Sequence, residues 1–195
     1  MKYGKRTYIP DDIKCIPEQA ELKFAGEIFD VYQWPQAMFD GTTATFEMLR
    51  REDTVTTIAI KGDKIIVEYQ TQPYQDWFYD YPGGRHDNPD EDELAAAKRE
   101  LREEAGMTFK NWKLVEVRQP YSKMDWLIYT FIATDFEAQG PQELDGGEKV
   151  KVLEVTLDEL RELAKLPNSK FLLRDFMKDI RSIDELKNLP ALHEY

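Results

Sequence analysis

Apolar positions in this chain alternate more often than they recur at helical spacing, so strands should dominate the fold. Residues 1 to about 20 show no clear period and contain Pro10 and Pro17, which reads as an extended arm. From Leu22 to Trp34 (LKFAGEIFDVYQW) partial alternation through Phe24, Ile28, Val31 and Trp34 predicts one or two strands. Phe39-Asp40-Gly41-Thr42 carries turn residues and joins them, as a hairpin, to a strand ending at Leu49. The clearest pairing is Thr54 to Ile60 with Ile65 to Tyr69, where both arms are β-branched and Gly62-Asp63 supplies the turn. A loop through Pro73 then leads to a short aromatic strand, Trp77 to Tyr81, which stops at Pro82-Gly83-Gly84.

The period changes after that stop. At about 100° per residue, Leu94, Ala97, Leu101 and Ala105 form one stripe, as on a helix facing a core. Asn88 is a candidate N-cap with Pro89 at the first helical position and Glu91 three residues on, and Gly106 ends the helix. Beyond it, Trp112 to Arg118 and Trp126 to Ala133 read as strands, and Asp135 to Glu148 as a polar loop. Val150 to Val155 is a further strand, and Leu157 to Leu166 and Phe171 to Ile180 are helices. Mixed strands around one acidic helix, closed by C-terminal helices, make the class α+β.

Length and charge narrow the function. With 195 residues the chain suits one domain of generous size or a domain with an appendage. No apolar run approaches the roughly 18 residues of a membrane span, and no apolar stretch follows the basic N-terminus, so the expected partners exclude a membrane and the expected location is cytoplasmic. Cys15 is the only cysteine, which excludes an intrachain disulfide and a multi-cysteine zinc site; no basic or histidine neighbour marks it as a nucleophile. His86 and His193 show no ligand spacing. The net charge of −12 argues against nucleic-acid binding. A small phosphorylated ligand could still reach an acidic site if divalent cations bridged the two.

The helix itself carries the candidate chemistry. Glu100, Glu103 and Glu104 are three and four residues apart, on a face beside the apolar stripe. Like charges at that spacing repel unless something positive lies among them, and Arg99 and Arg102 project elsewhere on the wheel. Grouped hard oxygens are what Mg²⁺ or Mn²⁺ require. The ordinary alternative is a solvated, charge-decorated helix. The Pro-Gly-Gly stop favours the metal, because it lets backbone approach a ligand closely enough for a carbonyl to join its shell. Glu93, more than a turn from Glu100, reads as solvent-facing charge.

Arg99-Glu100-Leu101-Arg102-Glu103-Glu104-Ala105-Gly106-Met107 matches without a gap the second half of the Nudix box, R-E-U-x-E-E-x-G-U with U aliphatic, and Glu91 stands at the family spacing eight residues before Arg99. The box glycine belongs six residues before Glu91, where this chain has Arg85; Gly84 therefore fills the role with a loop one residue longer. The chain resembles a Nudix hydrolase. The resemblance implies an α/β/α sandwich: a mixed central sheet, a catalytic loop-helix, and an N-terminal antiparallel strand extension, with residues 1–53 as arm and extension and 54–195 as the hydrolase domain. It implies Glu100 and Glu104 as principal metal ligands, Glu103 as a further or water-bridged ligand, and the Gly83 carbonyl as a backbone ligand. Arg99, Glu91, Gly84 and Gly106 would be structural, and the cofactor Mg²⁺, with Mn²⁺ as the alternative.

Element order from about 22 to 165 further resembles the ADP-ribose pyrophosphatase branch. That branch implies hydrolysis of a nucleoside diphosphate linked to another group, ADP-ribose or a related nucleotide sugar first, giving a nucleoside monophosphate and a sugar phosphate. A nucleoside triphosphate or dinucleoside polyphosphate substrate, and a non-catalytic nucleotide sensor, are the alternatives. An acidic loop in this order supplies a general base or further ligand in the branch, which puts Glu148 first and Glu143 second here, against a plain solvated turn. The branch's arginine is missing after Gln70 to Gln72, so a phosphate or ribose contact differs. Arg50, Arg51 and Arg85 are candidate phosphate contacts, Arg85 first because it adjoins the metal loop, against an ordinary surface role. Trp34 or Phe39 could stack on a base, although aromatics in strands more often fill a core. The branch also implies a homodimer packed through the N-terminal strands.

Overall fold

The computed structural model describes residues 3–170, 172–193 and 195. Its strands and helices are, in chain order, β1 (Glu21–Ala25), β2 (Asp30–Ala37), β3 (Thr43–Arg50), β4 (Asp53–Lys61), β5 (Lys64–Thr71), β6 (Phe78–Asp80), β7 (Arg85–His86), α1 (Glu93–Ala105), β8 (Met107–Arg118), β9 (Met124–Asp125), β10 (Ile128–Gln139), β11 (Lys149–Val155), α2 (Leu157–Leu163) and α3 (Ile183–Lys187), with a 3₁₀ turn at Asp175–Met177. They form two sheets. A four-stranded sheet runs β1-β2-β3-β9, and a mixed sheet runs β11-β5-β4-β10-β8, with β6 on β5 and β7 on β4.

The mixed sheet is covered on both faces, and strict alternation sorts its side chains. Val55 and Ala59 of β4, Ile66 of β5, and Tyr129, Phe131 and Ala133 of β10 lie in the clusters that include Ala96, Ala97, Leu101 and Ala105 of α1. Ile58, Ile60, Ile65, Val67 and Ile132 point the other way, against Leu157, Leu160, Met177 and Leu186. The expected α/β/α sandwich is therefore present.

One irregularity makes the site. β4 and β5 pair only next to their turn, at Ile60↔Ile65 and Lys61↔Lys64. Beyond it the chain from β6 to β7 runs between them. Glu68 of β5 pairs with Asp80, while Val55 N–H donates to the Gly84 carbonyl (3.0 Å) and Thr57 N–H to that of Pro82 (2.8 Å). The Pro-Gly-Gly stop is thus threaded through the middle of the sheet.

Several expected boundaries move. The helix starts at Asp92, whose carboxylate accepts from Ala95 N–H (2.8 Å), rather than at Asn88. Asn88 instead closes a turn, accepting from Asp90 N–H. Gly106 ends the helix as expected, at φ 68° with its N–H on the Arg102 carbonyl. β10 continues to Gln139, through residues given to the loop, because β8 begins at Met107 and pairs with it throughout. Of the helix expected from Phe171 to Ile180 only the 3₁₀ turn forms, and Phe171 itself lies outside the described residues. Among the described residues no helix is long and apolar enough to cross a membrane.

Candidate active site

A cleft of about 490 Å³ opens where the threaded loop, α1 and the β10–β11 loop meet. Its wall includes Gly83, Gly84, Glu100, Glu103, Glu104, Glu143 and Glu148 on the acidic side, and Arg51 and Arg85. Local structure sets each position. Gly106 lets β8 turn directly back, and Gly140 N–H donates to its carbonyl (2.7 Å). Glu143 N–H then donates to the Glu103 carbonyl (2.8 Å), and Gln142 Nε2 to that of Glu104. The β10–β11 loop is thereby pinned to the end of α1, which brings Glu143 and Glu148 to the cleft.

Arg99 is the central fixture. Its guanidinium meets Glu91 (3.1 Å), Glu100 (2.8 Å) and Glu103 (3.1 Å) and donates to the Arg85 carbonyl (3.0 Å). One side chain thus ties the loop to the helix and holds two carboxylates, so Arg99 does not point away from the cluster as the wheel suggested. Glu104 is 3% exposed and accepts from Gly83 N–H (2.7 Å). Pro82 and Gly84 turn their carbonyls to β4, and the intervening Gly83 turns its N–H to Glu104. A Cβ on Gly84 would lie 2.5 Å from the Glu100 carboxylate, so any larger residue here would have to displace that side chain.

Burial dominates the electrostatics. It pushes Glu100 up to about 7, against the pull of Arg99 and with help from Glu103 and Glu148. Burial, then the Glu68 and Glu100 carboxylates, raise Glu104 well above the usual range, and burial raises Glu148. Among the described residues no three acidic, histidine or cysteine side chains already surround one point. Arg99 draws Glu100 and Glu103 aside, and Glu104 rests on Gly83. The donor set nevertheless fits a hard divalent cation: oxygen atoms only, buried, and mutually repelling.

A family model for the NUDIX domain matches residues 50–176. The chain belongs to the Nudix family. The acidic helix and the threaded loop both lie inside the matched residues. A search of curated proteins finds no match. Among solved structures, one described as an ADP compounds hydrolase is similar in fold, with a TM-score of 0.65 at 18% identity over 83% of this chain and 92% of that one.

Other expected residues fall apart from the Nudix cleft. Trp34 lies on β2 against Phe46, and Phe39 projects fully exposed from the β2–β3 turn; neither lines the cleft. Arg51 does line it, half-buried with its guanidinium 4.7 Å from the Trp126 ring centre. Glu93 is a correction: it is fully buried and accepts from Thr7 and Tyr8 N–H, fixing the N-terminal arm to the start of α1. Sequence reasoning also missed Glu68, a fully buried acid on β5. The available signal was an acid two residues past Ile66 in a strand covered on both faces.

Proposed function

We propose that this Nudix hydrolase cleaves the pyrophosphate bond of a nucleoside diphosphate linked to another group, ADP-ribose or a related nucleotide sugar first, releasing a nucleoside monophosphate and a sugar phosphate. The observation that carries the reading is that Gly83, Glu100, Glu103 and Glu104 line one cleft together with Arg51 and Arg85, the Gly83 N–H resting on Glu104. Glu100, Glu104, Glu103 and the Gly83 carbonyl would hold Mg²⁺, or Mn²⁺ in its place. A bound cation would neutralise pyrophosphate oxygens and acidify a water beside them. Glu148, on the cleft wall with its carboxyl raised by burial, is the group to take the proton from the attacking water, with Glu143 second. Arg85 and Arg51 would anchor the phosphate or ribose oxygens. Glu91 and Arg99 hold the loop on the helix. The resemblance in fold to an ADP compounds hydrolase supports the substrate class.

Residues 1–53 would form an arm and strand extension through which two copies pair, bringing Trp34 and Phe39 toward a neighbour. Leu22 and Phe24 of β1 are 50% and 61% exposed, apolar surface that a second copy would cover. A monomer in sedimentation at working concentration would remove that part of the reading.

Glu104→Gln keeps the shape of the side chain and removes its charge. It should lower metal-dependent turnover by about 10²-fold or more while leaving the melting curve cooperative. Full activity in the variant would mean the wrong site. Release of AMP from ADP-ribose supports the substrate assignment; pyrophosphate release from nucleoside triphosphates alone would replace it.

A further inference from the structure

Beneath the cleft lies a carboxylate that the box does not contain. Glu68 sits in the middle of β5 and is 0% exposed. Two residues earlier on the strand, Ile66 packs against Leu101 and Ala105 of α1. Strand alternation therefore turns Glu68 toward the same helix, on the side where Glu100 and Glu104 stand. Its cross-strand partner is Asp80, three residues before Gly83. One Glu68 oxygen accepts from Gln70 Nε2 at 3.3 Å; the other, Oε1, is buried without a hydrogen-bond partner. The charges acting on it most strongly, from Asp80, Glu148 and Glu100, are all negative.

An apolar side chain at this position would avoid a penalty, since a buried carboxyl with no cation beside it must keep its proton or bear a heavy desolvation cost. Arg99 is committed to Glu91, Glu100 and Glu103. Among the described residues no Lys or Arg side chain pairs with Glu68. We propose that Glu68 is a metal ligand supplied by the sheet, its unpartnered Oε1 binding a divalent cation that Glu104 holds from the α1 side. Gln70 fixes the other oxygen and so presents Oε1. The inference rests on the metal-dependent reading of the cleft and adds to it a ligand from outside the box.

The test uses the full chain without nucleotide. Mn²⁺ titration followed by the electron paramagnetic resonance of the free ion should show Glu68→Gln binding one class of ion about 10–100-fold more weakly than the wild type. Glu68→Gln should melt no lower than wild type when metal-free, because a buried ionisable group with no cation beside it is gone, and should gain less from added Mg²⁺. Unchanged Mn²⁺ affinity and stoichiometry would overturn the proposal. Glu104→Gln in the same titration separates the two readings. If it loses Mn²⁺ while Glu68→Gln does not, the sheet ligand falls and the hydrolase reading stands; if neither loses it, both fall. A wild-type crystal soaked in Mn²⁺ needs no variant to fold. An anomalous peak within about 2.0–2.6 Å of a Glu68 oxygen supports the assignment, and a peak bonded only to box residues refutes it.

Discussion

A methyl group on Gly83 would lie 2.1 Å from the Val55 carbonyl oxygen and 2.9 Å from Thr56 Cα, both backbone atoms of a central strand, whereas one on Gly84 meets only the end of the Glu100 side chain. The two neighbours should therefore respond differently to alanine. Gly83→Ala must push β4 or the threaded loop and should destabilise by about 1–3 kcal/mol in urea unfolding. Gly84→Ala can be relieved by moving Glu100, so it should keep most of its stability and lose Mn²⁺ affinity. Equal unfolding midpoints for the two would contradict this placement. The contrast also shows what a sequence displays at single positions. Glu100 and Glu104 were legible because helical spacing and the box motif coincide on them. Glu68 was not: within IIVEY it is one acid in an apolar strand, and its depth depends on a loop threaded from elsewhere. Glu93 failed for a related reason, since a helical wheel cannot show that the arm lies across it.

That arm is itself held by long-range charge. Arg6 makes a two-pronged contact with Asp53 (2.6 and 2.7 Å) and reaches Asp125 (2.7 Å), with all three side chains at most 10% exposed. Asp53 opens β4 and also accepts from Leu127 N–H (2.8 Å), so the same carboxylate orders the entry to β10. Arg6→Ala would leave two buried aspartates short of their cation, and should cost about 3–5 kcal/mol with earlier proteolytic cutting of the first 20 residues. A loss below about 1 kcal/mol would show that the aspartates are satisfied without it. Elements with their own period, such as β4, β5 and the body of α1, were readable in the sequence. Their ends were not. Asn88-Pro89 has good capping chemistry, but Glu91 is held by Arg99 and its carbonyl accepts from Lys5 N–H, so the helix can begin only after it. β10 outruns its apolar run because pairing with β8 replaces the missing pattern.

Taken together, the buried acids make the stability of the whole fold depend on pH in an unusual direction. A carboxylate whose native pKa is raised keeps its proton to higher pH when folded than when unfolded, so the native state binds more protons between the two values and stability falls as pH rises through that window. Burial lifts Glu100 from the ordinary value to about 7 and Asp80 to about 6, and Glu68, Glu104 and Glu148 move the same way. The lowered carboxylates, Glu21, Asp40, Glu159 and Asp175, are surface groups that act with the opposite sign at more acidic pH. Metal-free protein should therefore lose on the order of a few kcal/mol as pH rises from about 4 to about 8. General repulsion in a chain of net charge −12 has the same sign, and salt distinguishes the two. NaCl screens the surface and leaves the buried cluster largely untouched, whereas Mg²⁺ at matched ionic strength binds the ionised form and should flatten the decline. Thermal melts across pH with chelator, NaCl or Mg²⁺ give the answer. A decline that NaCl removes as well as Mg²⁺ would assign the effect to the surface, while one that only Mg²⁺ removes places it in the carboxylates gathered between β5 and α1.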